Sequence, residues 1–192
     1  WAVLGTSTQV FLPFLIIYVQ RYLRIESYPL VLASVLIGAA ILSIVGGRVL
    51  DRIGPSRGIL PVVGAYVIGL LAMFWARGMP AVIGAGIVVM AGFMLGVAAI
   101  SATVRNLTPV DRAGQVQGLR MVFAILIPMV LGPFIGAAVI TGADETYVDL
   151  GMVRQVPTPW IFPASAAVVV LIVVPVLLLR RRESIAALEP VR

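Results

Sequence analysis

The chain contains no cysteine and no histidine, and all 14 of its basic residues are arginine. Without Cys there is no disulfide, thiolate nucleophile or sulfur ligand. Without His there is no imidazole base and no His-ligated metal. Neither absence reports on redox compartment, and the exclusive use of Arg reflects genomic base composition rather than mechanism. Charge is scarce, at 11% of 192 residues, and no Asp, Glu or Arg falls at the centre of a long apolar run. An enzyme working inside such runs needs paired acids, a His cluster or an activated Ser or Cys. None of these patterns is present, so no catalytic residue and no cofactor is expected.

What is abundant is apolar surface. Hydrophobic residues make up 61% of the chain and its mean hydropathy is +1.11. A soluble domain of this length has no interior large enough to hide that surface, so the solvent must be lipid. The net charge of +6 does not point to nucleic acid, because the arginines lie between apolar segments and form no basic face.

Six segments reach about 20 residues, the length needed to span a bilayer: 1–22, 29–47, 59–76, 81–104, 121–140 and 160–179. The runs are continuous rather than alternating, which favours helices over barrel strands. The first lacks the basic leader and small-residue cleavage pattern of a signal peptide. A chain opening on Trp1 is expected to be a fragment or a processed product. The reading is an all-α membrane bundle over 1–179 with a cytoplasmic tail at 180–192.

Loop arginines predict the orientation. Ten (Arg48, Arg52, Arg57, Arg105, Arg112, Arg120, Arg180, Arg181, Arg182, Arg192) fall on one side and four (Arg21, Arg24, Arg77, Arg154) on the other. The richer side, carrying both termini, is expected to be cytoplasmic. Tyr22, Tyr28, Trp75 and Trp160 sit at the opposite ends of their spans, as interfacial aromatics do. The three arginines after the last span read as a stop-transfer anchor.

Between the second and third spans lies Gly46-Gly47-Arg48-Val49-Leu50-Asp51-Arg52-Ile53-Gly54-Pro55-Ser56-Arg57-Gly58. Gly47 is expected to allow a close helix approach, Asp51 to sit at a helix N-terminus, and Arg52 to pair with a carboxylate or helix-end carbonyls. Gly54 and Pro55 are expected to make the turn. The loop after the fourth span repeats the Asp-Arg-x-Gly core in Thr108-Pro109-Val110-Asp111-Arg112-Ala113-Gly114-Gln115. Thr108 is expected to cap the next helical turn, and Asp111 and Arg112 to pair with Arg52 or Asp51 as a gate.

The first of these loops resembles the signature of the major facilitator superfamily, Gly-x-x-x-Asp-Arg-x-Gly followed by basic residues, with Gly47, Asp51, Arg52 and Gly54 matching. Pro55 and Ser56 stand where the stronger copy carries basic residues, which suits the weaker copy after the eighth helix. The resemblance implies a six-helix half, helices 7 to 12, of a twelve-helix secondary transporter. It implies that a coupling ion, proton or sodium, is held by an N-terminal half outside this chain. The stretch Phe11–Gln20 and the run Val156-Pro157-Thr158-Pro159 resemble the sugar–cation symporter branch.

Within the spans the candidate solute contacts are few. Gln9 carries a mid-membrane amide, which is costly in hydrocarbon unless it is partnered or faces a wet cavity. Phe14, Tyr18 and Gln20 follow on the same span. On an unbroken helix Phe14 and Tyr18 point away from Gln9, so a shared cavity requires Pro13 to kink or unwind the helix. Pro128 and Pro133 make the fifth span irregular as well, and Gly92-x-x-x-Gly96 and Gly132-x-x-x-Gly136 offer faces for close packing. Met90, Phe93 and Met94 read as packing. The expected function is carriage of a small solute by alternating access across a bacterial inner membrane, with a sugar or glycoside first. Efflux of amphipathic drugs is the alternative, and a non-transporting scaffold is the alternative of another class.

Overall fold

The computed structural model describes residues 1–149 and 151–186. Six apolar helices long enough to cross a membrane run Ala2–Tyr22 (α1), Tyr28–Ile53 (α2), Pro55–Trp75 (α3), Met79–Leu107 (α4), Ala113–Ile140 (α5) and Ile161–Leu179 (α6). Proline occupies the first helical turn of α2, α3 and α4, where its missing N–H forfeits nothing.

Several helices outrun the spans expected from hydropathy. The second continues from 47 to Ile53 and the third starts at Pro55 rather than 59. Hydropathy marks the apolar depth, but helical hydrogen bonding continues until something breaks it. Nothing between Arg48 and Ile53 does so; Gly54 does, at φ 90° and ψ 143°. For the same reason α5 begins at Ala113 rather than 121. The sixth span itself is interrupted at residues 171–172, and the helix resuming at Val173 runs past its end to Ala186. The rest of the expected tail, 187–192, lies outside the described residues.

Two spans are irregular where prolines interrupt them. Within α1, Leu12–Phe14 winds as a 3₁₀ turn, Leu15–Ile17 as α-helix and Tyr18–Tyr22 as a π-helix. Pro13 cannot supply the N–H that would bond the Gln9 carbonyl, so the ladder is broken there. In α5 a π-helical Val122–Leu126 precedes Pro128. The widened turn gives the proline ring room beside the Ala124 carbonyl, the i−4 group it would otherwise strike.

Between α5 and α6 the chain forms a hairpin that was expected only as loop. Strand Thr146–Asp149 (β1) pairs antiparallel with Met152–Gln155 (β2), Tyr147 facing Arg154, and Gly151 takes positive φ in the turn. The end of α1 and the α1–α2 loop reach this hairpin, Arg21 lying over the Tyr147 ring at 5.9 Å and Arg24 meeting Glu145, just before β1, at 3.9 Å.

The helices pack as two interlocked sets. The main partners of α4 are α3 and α2, while those of α1 are α5 and α6. Glycine sets the closest contacts. A Cβ at Gly92 would come within 2.9–3.1 Å of the Tyr66 Cβ and backbone, and one at Gly69 would meet the Val89 amide at 2.9 Å. Gly132 lies against the Gln9 backbone, and Gly136 against the Val10 carbonyl and the Phe14 ring. Both glycine pairs singled out in the sequence are therefore packing faces. Outside the seams, α2 exposes Ile37, Ile41 and Ile44, and α5 exposes Met129, Val130 and Phe134, as helices solvated by hydrocarbon do.

Gly47 behaves otherwise: nothing lies within 4 Å of a Cβ built there. The close approach expected of it belongs to Gly46, where a Cβ would meet Leu95 Cδ1 at 2.5 Å. Gly92→Leu should therefore separate α3 from α4 and destabilise the bundle by about 1–3 kcal/mol, seen as a lower melting temperature in detergent. Gly47→Leu should melt like the parent. Equal melting of the two variants would refute this assignment of the seams.

Candidate functional site

The two Asp-Arg-x-Gly loops share three residues but not a structure. Asp51 and Arg52 lie in the last turn of α2, and Gly54 forms the turn into α3 as expected. Arg52 there complements the negative end of the α2 dipole. Asp51 does not cap a helix: α3 has Gly54 at its N-cap position and no side-chain cap. In the second loop Asp111 and Arg112 fall in a 3₁₀ turn that leads into α5, and Gly114 follows within the helix. Thr108 does not cap this turn either, because its hydroxyl donates back to the Val104 carbonyl at 2.6 Å.

The expected cross-loop pairs are not formed among the described residues. Arg112 instead meets its neighbour Asp111 at 3.8 Å, both well exposed. An exposed pair of that kind is worth about 0–1 kcal/mol. All four charged residues are therefore accessible at one end of the bundle in this conformation.

The four candidates on α1 are not brought to one place. Gln9 is half-buried with its backbone against Gly132, and Phe14 is half-buried over Gly136, so both border α5. Gln20 is exposed. Tyr18 is fully buried, stacked on Tyr22 at 5.2 Å between ring centroids and edge-on to Phe162 of α6 at 5.1 Å. It does not line an open cavity here, and its hydroxyl has no hydrogen-bond partner among the described residues. The irregular winding after Pro13 does not bring Tyr18 round to Gln9; Tyr18 packs against Phe162 of α6, as Phe11, seven residues earlier, also does at 5.7 Å.

What the sequence did not reveal is a buried hydroxyl knot joining three helices. Ser7 of α1 donates to the Ser165 carbonyl of α6 at 2.8 Å, and Ser165 donates to the Ser7 carbonyl at 2.6 Å. Each serine thereby commits its only proton, so the 2.9 Å approach of their two oxygens carries no third bond. Thr8 donates to the Leu4 carbonyl at 3.1 Å. The remaining proton, on Tyr66 of α3, is directed at Thr8 Oγ1 (3.0 Å) or Ser7 Oγ (3.2 Å). Every donor is satisfied and all four residues are buried.

The polar run Thr6-Ser7-Thr8 is thus mostly glue. Tyr66 and Ser165 were not foreseen because no local pattern links residues 58 and 158 positions away. A double-mutant cycle between Ser7→Ala and Ser165→Ala should give a coupling of about 0.5–2 kcal/mol, in the range of interhelical bonds in membranes. Additive effects on unfolding would show that the reciprocal bonds contribute nothing.

No curated protein and no solved structure matches the chain. A family model described as Major Facilitator Superfamily matches residues 2–192, and with its six apolar helices the chain belongs to that family of membrane transporters.

Proposed function

We propose that the chain forms one half of a secondary transporter that moves a small uncharged polar solute, a sugar or glycoside, by alternating access. The observation that carries this reading is the open face of α1. Gln9 is half-buried, while Leu12, Pro13, Ile16 and Gln20 are exposed, at the i, i+3, i+4, i+7 and i+11 spacing of a single helix face. The face bears an amide at each end, apolar groups between, and no charge. Amides match sugar hydroxyls, and the apolar middle matches the C–H face of a sugar ring. The apolar middle also favours a second reading, efflux of an amphipathic solute.

In this reading the gate is built from Gly54, the turn between α2 and α3, and from the accessible charges Asp51, Arg52, Asp111 and Arg112. Bonds that close the solute path must also open, which suits exposed pairs of small individual worth. In this reading the coupling ion, proton or sodium, is held by a partnering N-terminal half, which span centres without Asp, Glu or Arg support. The arginine-rich end faces the cytoplasm of a bacterial inner membrane.

Two measurements test the proposal. With a matching first half co-expressed, Asp51→Asn should slow solute uptake about tenfold while changing solute affinity less than about twofold, because it acts on the barrier to closure. Unchanged uptake would make the loop a connector only. Since the chain has no native Cys, Gln9→Cys can be labelled cleanly with a water-soluble thiol reagent. Labelling that solute suppresses supports the α1 face. Labelling absent in every transport condition would place Gln9 in a dry α1–α5 seam and remove that face from the solute path.

A further inference from the structure

A cavity separate from the α1 face opens at the arginine-rich end, where α4, α5 and the start of α1 converge. It encloses about 530 Å³ and is lined by Trp1, Ser101, Arg105, Thr108, Gln117 and Arg120, together with small apolar side chains. The volume is that of a small-ligand site. Its chemistry is one-sided. Arg105 and Arg120 bring two guanidinium groups, and among the described residues no Asp or Glu lines the wall. The ion pairs among the described residues lie elsewhere, at Arg24, Arg112 and Arg154.

The wall is also held in place. The Arg120 guanidinium lies over the Trp1 ring, 5.4 Å from its centroid, and the Trp1 indole donates to Ser101 Oγ at 3.2 Å. Cation–π stacking of this kind fixes a guanidinium without neutralising it. Because Ser101 accepts from Trp1, its own proton is directed at no acceptor among the described residues. Thr108 spends its proton on Val104. The donors left to a ligand are therefore two guanidinium groups, one hydroxyl and the Gln117 amide. Paired positive charge in a partly enclosed cleft with no counter-charge among the described residues calls for an anion, and planar guanidinium groups match phosphate oxygens in pairs.

We propose that this cavity is a binding site for a phosphate group, carried by a lipid headgroup or by a small soluble phosphate. The site lies at the end of the spans, within reach of headgroups, and is distinct from the α1 face assigned to the solute. Its occupancy is read at equilibrium, so it stands or falls independently of transport.

Trp1 supplies the reporter. With Trp75→Phe and Trp160→Phe it becomes the only tryptophan of three. The full chain in phosphatidylcholine nanodiscs should show a saturable change in Trp1 emission on titration with inorganic phosphate. Discs containing phosphatidylglycerol should show that change before any phosphate is added if the headgroup is the source, and should not if a soluble phosphate is. Arg105→Gln, which leaves the Arg120–Trp1 stack intact, should weaken the response about tenfold, the loss expected for one charge-assisted contact. Arg105→Lys should retain most of it. The proposal is overturned if neither phosphate nor phosphatidylglycerol alters Trp1 emission. It is equally overturned if the response survives Arg105→Gln unchanged in protein that elutes as the parent does.

Discussion

A hydroxyl buried in a membrane bundle has only the protein for a partner, and here four buried residues answer that constraint together, whereas the Tyr18 hydroxyl finds no partner among the described residues. Ser7 and Ser165 exchange hydrogen bonds with each other's backbone, and Tyr66 closes the set by donating to Thr8 or Ser7. The knot ties α1, α3 and α6 together. It also depends on a glycine, because Tyr66 reaches its partners from a backbone lying directly against Gly92 of α4. Without a hydrophobic drive between helices, close packing and a few satisfied polar contacts hold such a bundle together. Four helices therefore meet around the knot.

The remaining two helices complete the interlock from outside. Each of α2 and α5 presents much of its surface to the surroundings, and the smallest shares of buried residues among the spans are theirs. The accessible Asp-Arg pairs sit where α2 ends and where α5 begins. The accessible charges thus lie at the ends of the two helices that show most surface outward, away from the hydroxyl knot. α5 also contains the π-helical turn beside Pro128, so its backbone departs from regular hydrogen bonding within the membrane-length segment.

Polar residues near membrane depth thus serve different ends. Ser7, Thr8, Tyr66 and Ser165 are consumed by one another and are closed to solute. Gln9 and Gln20 make no hydrogen bond to the described residues and remain on the open side of α1. Ser101, Gln117 and two arginines keep unspent donors around the cavity at the arginine-rich end. Counting protons, rather than counting polar residues, separates the three groups.

The sequence alone determined the medium, the six spans, the family signature and the turn at Gly54, because these depend on local composition and on one residue's backbone freedom. It also marked the glycine pairs as packing faces, since small residues four apart face one way on any helix. Only the tertiary structure decided the rest. Helix ends moved by up to eight residues because hydrogen bonding, not hydropathy, stops a helix. Gly46 rather than Gly47 meets a neighbour because which residue faces α4 depends on the rotation of α2 about its axis. That Tyr18 faces α6 follows from which side of α1 that helix packs against, the side where Phe11 also meets Phe162. The partnership of Ser7 with Ser165 and the convergence of Trp1, Arg105 and Arg120 are contacts across more than 100 residues, which no local spacing encodes.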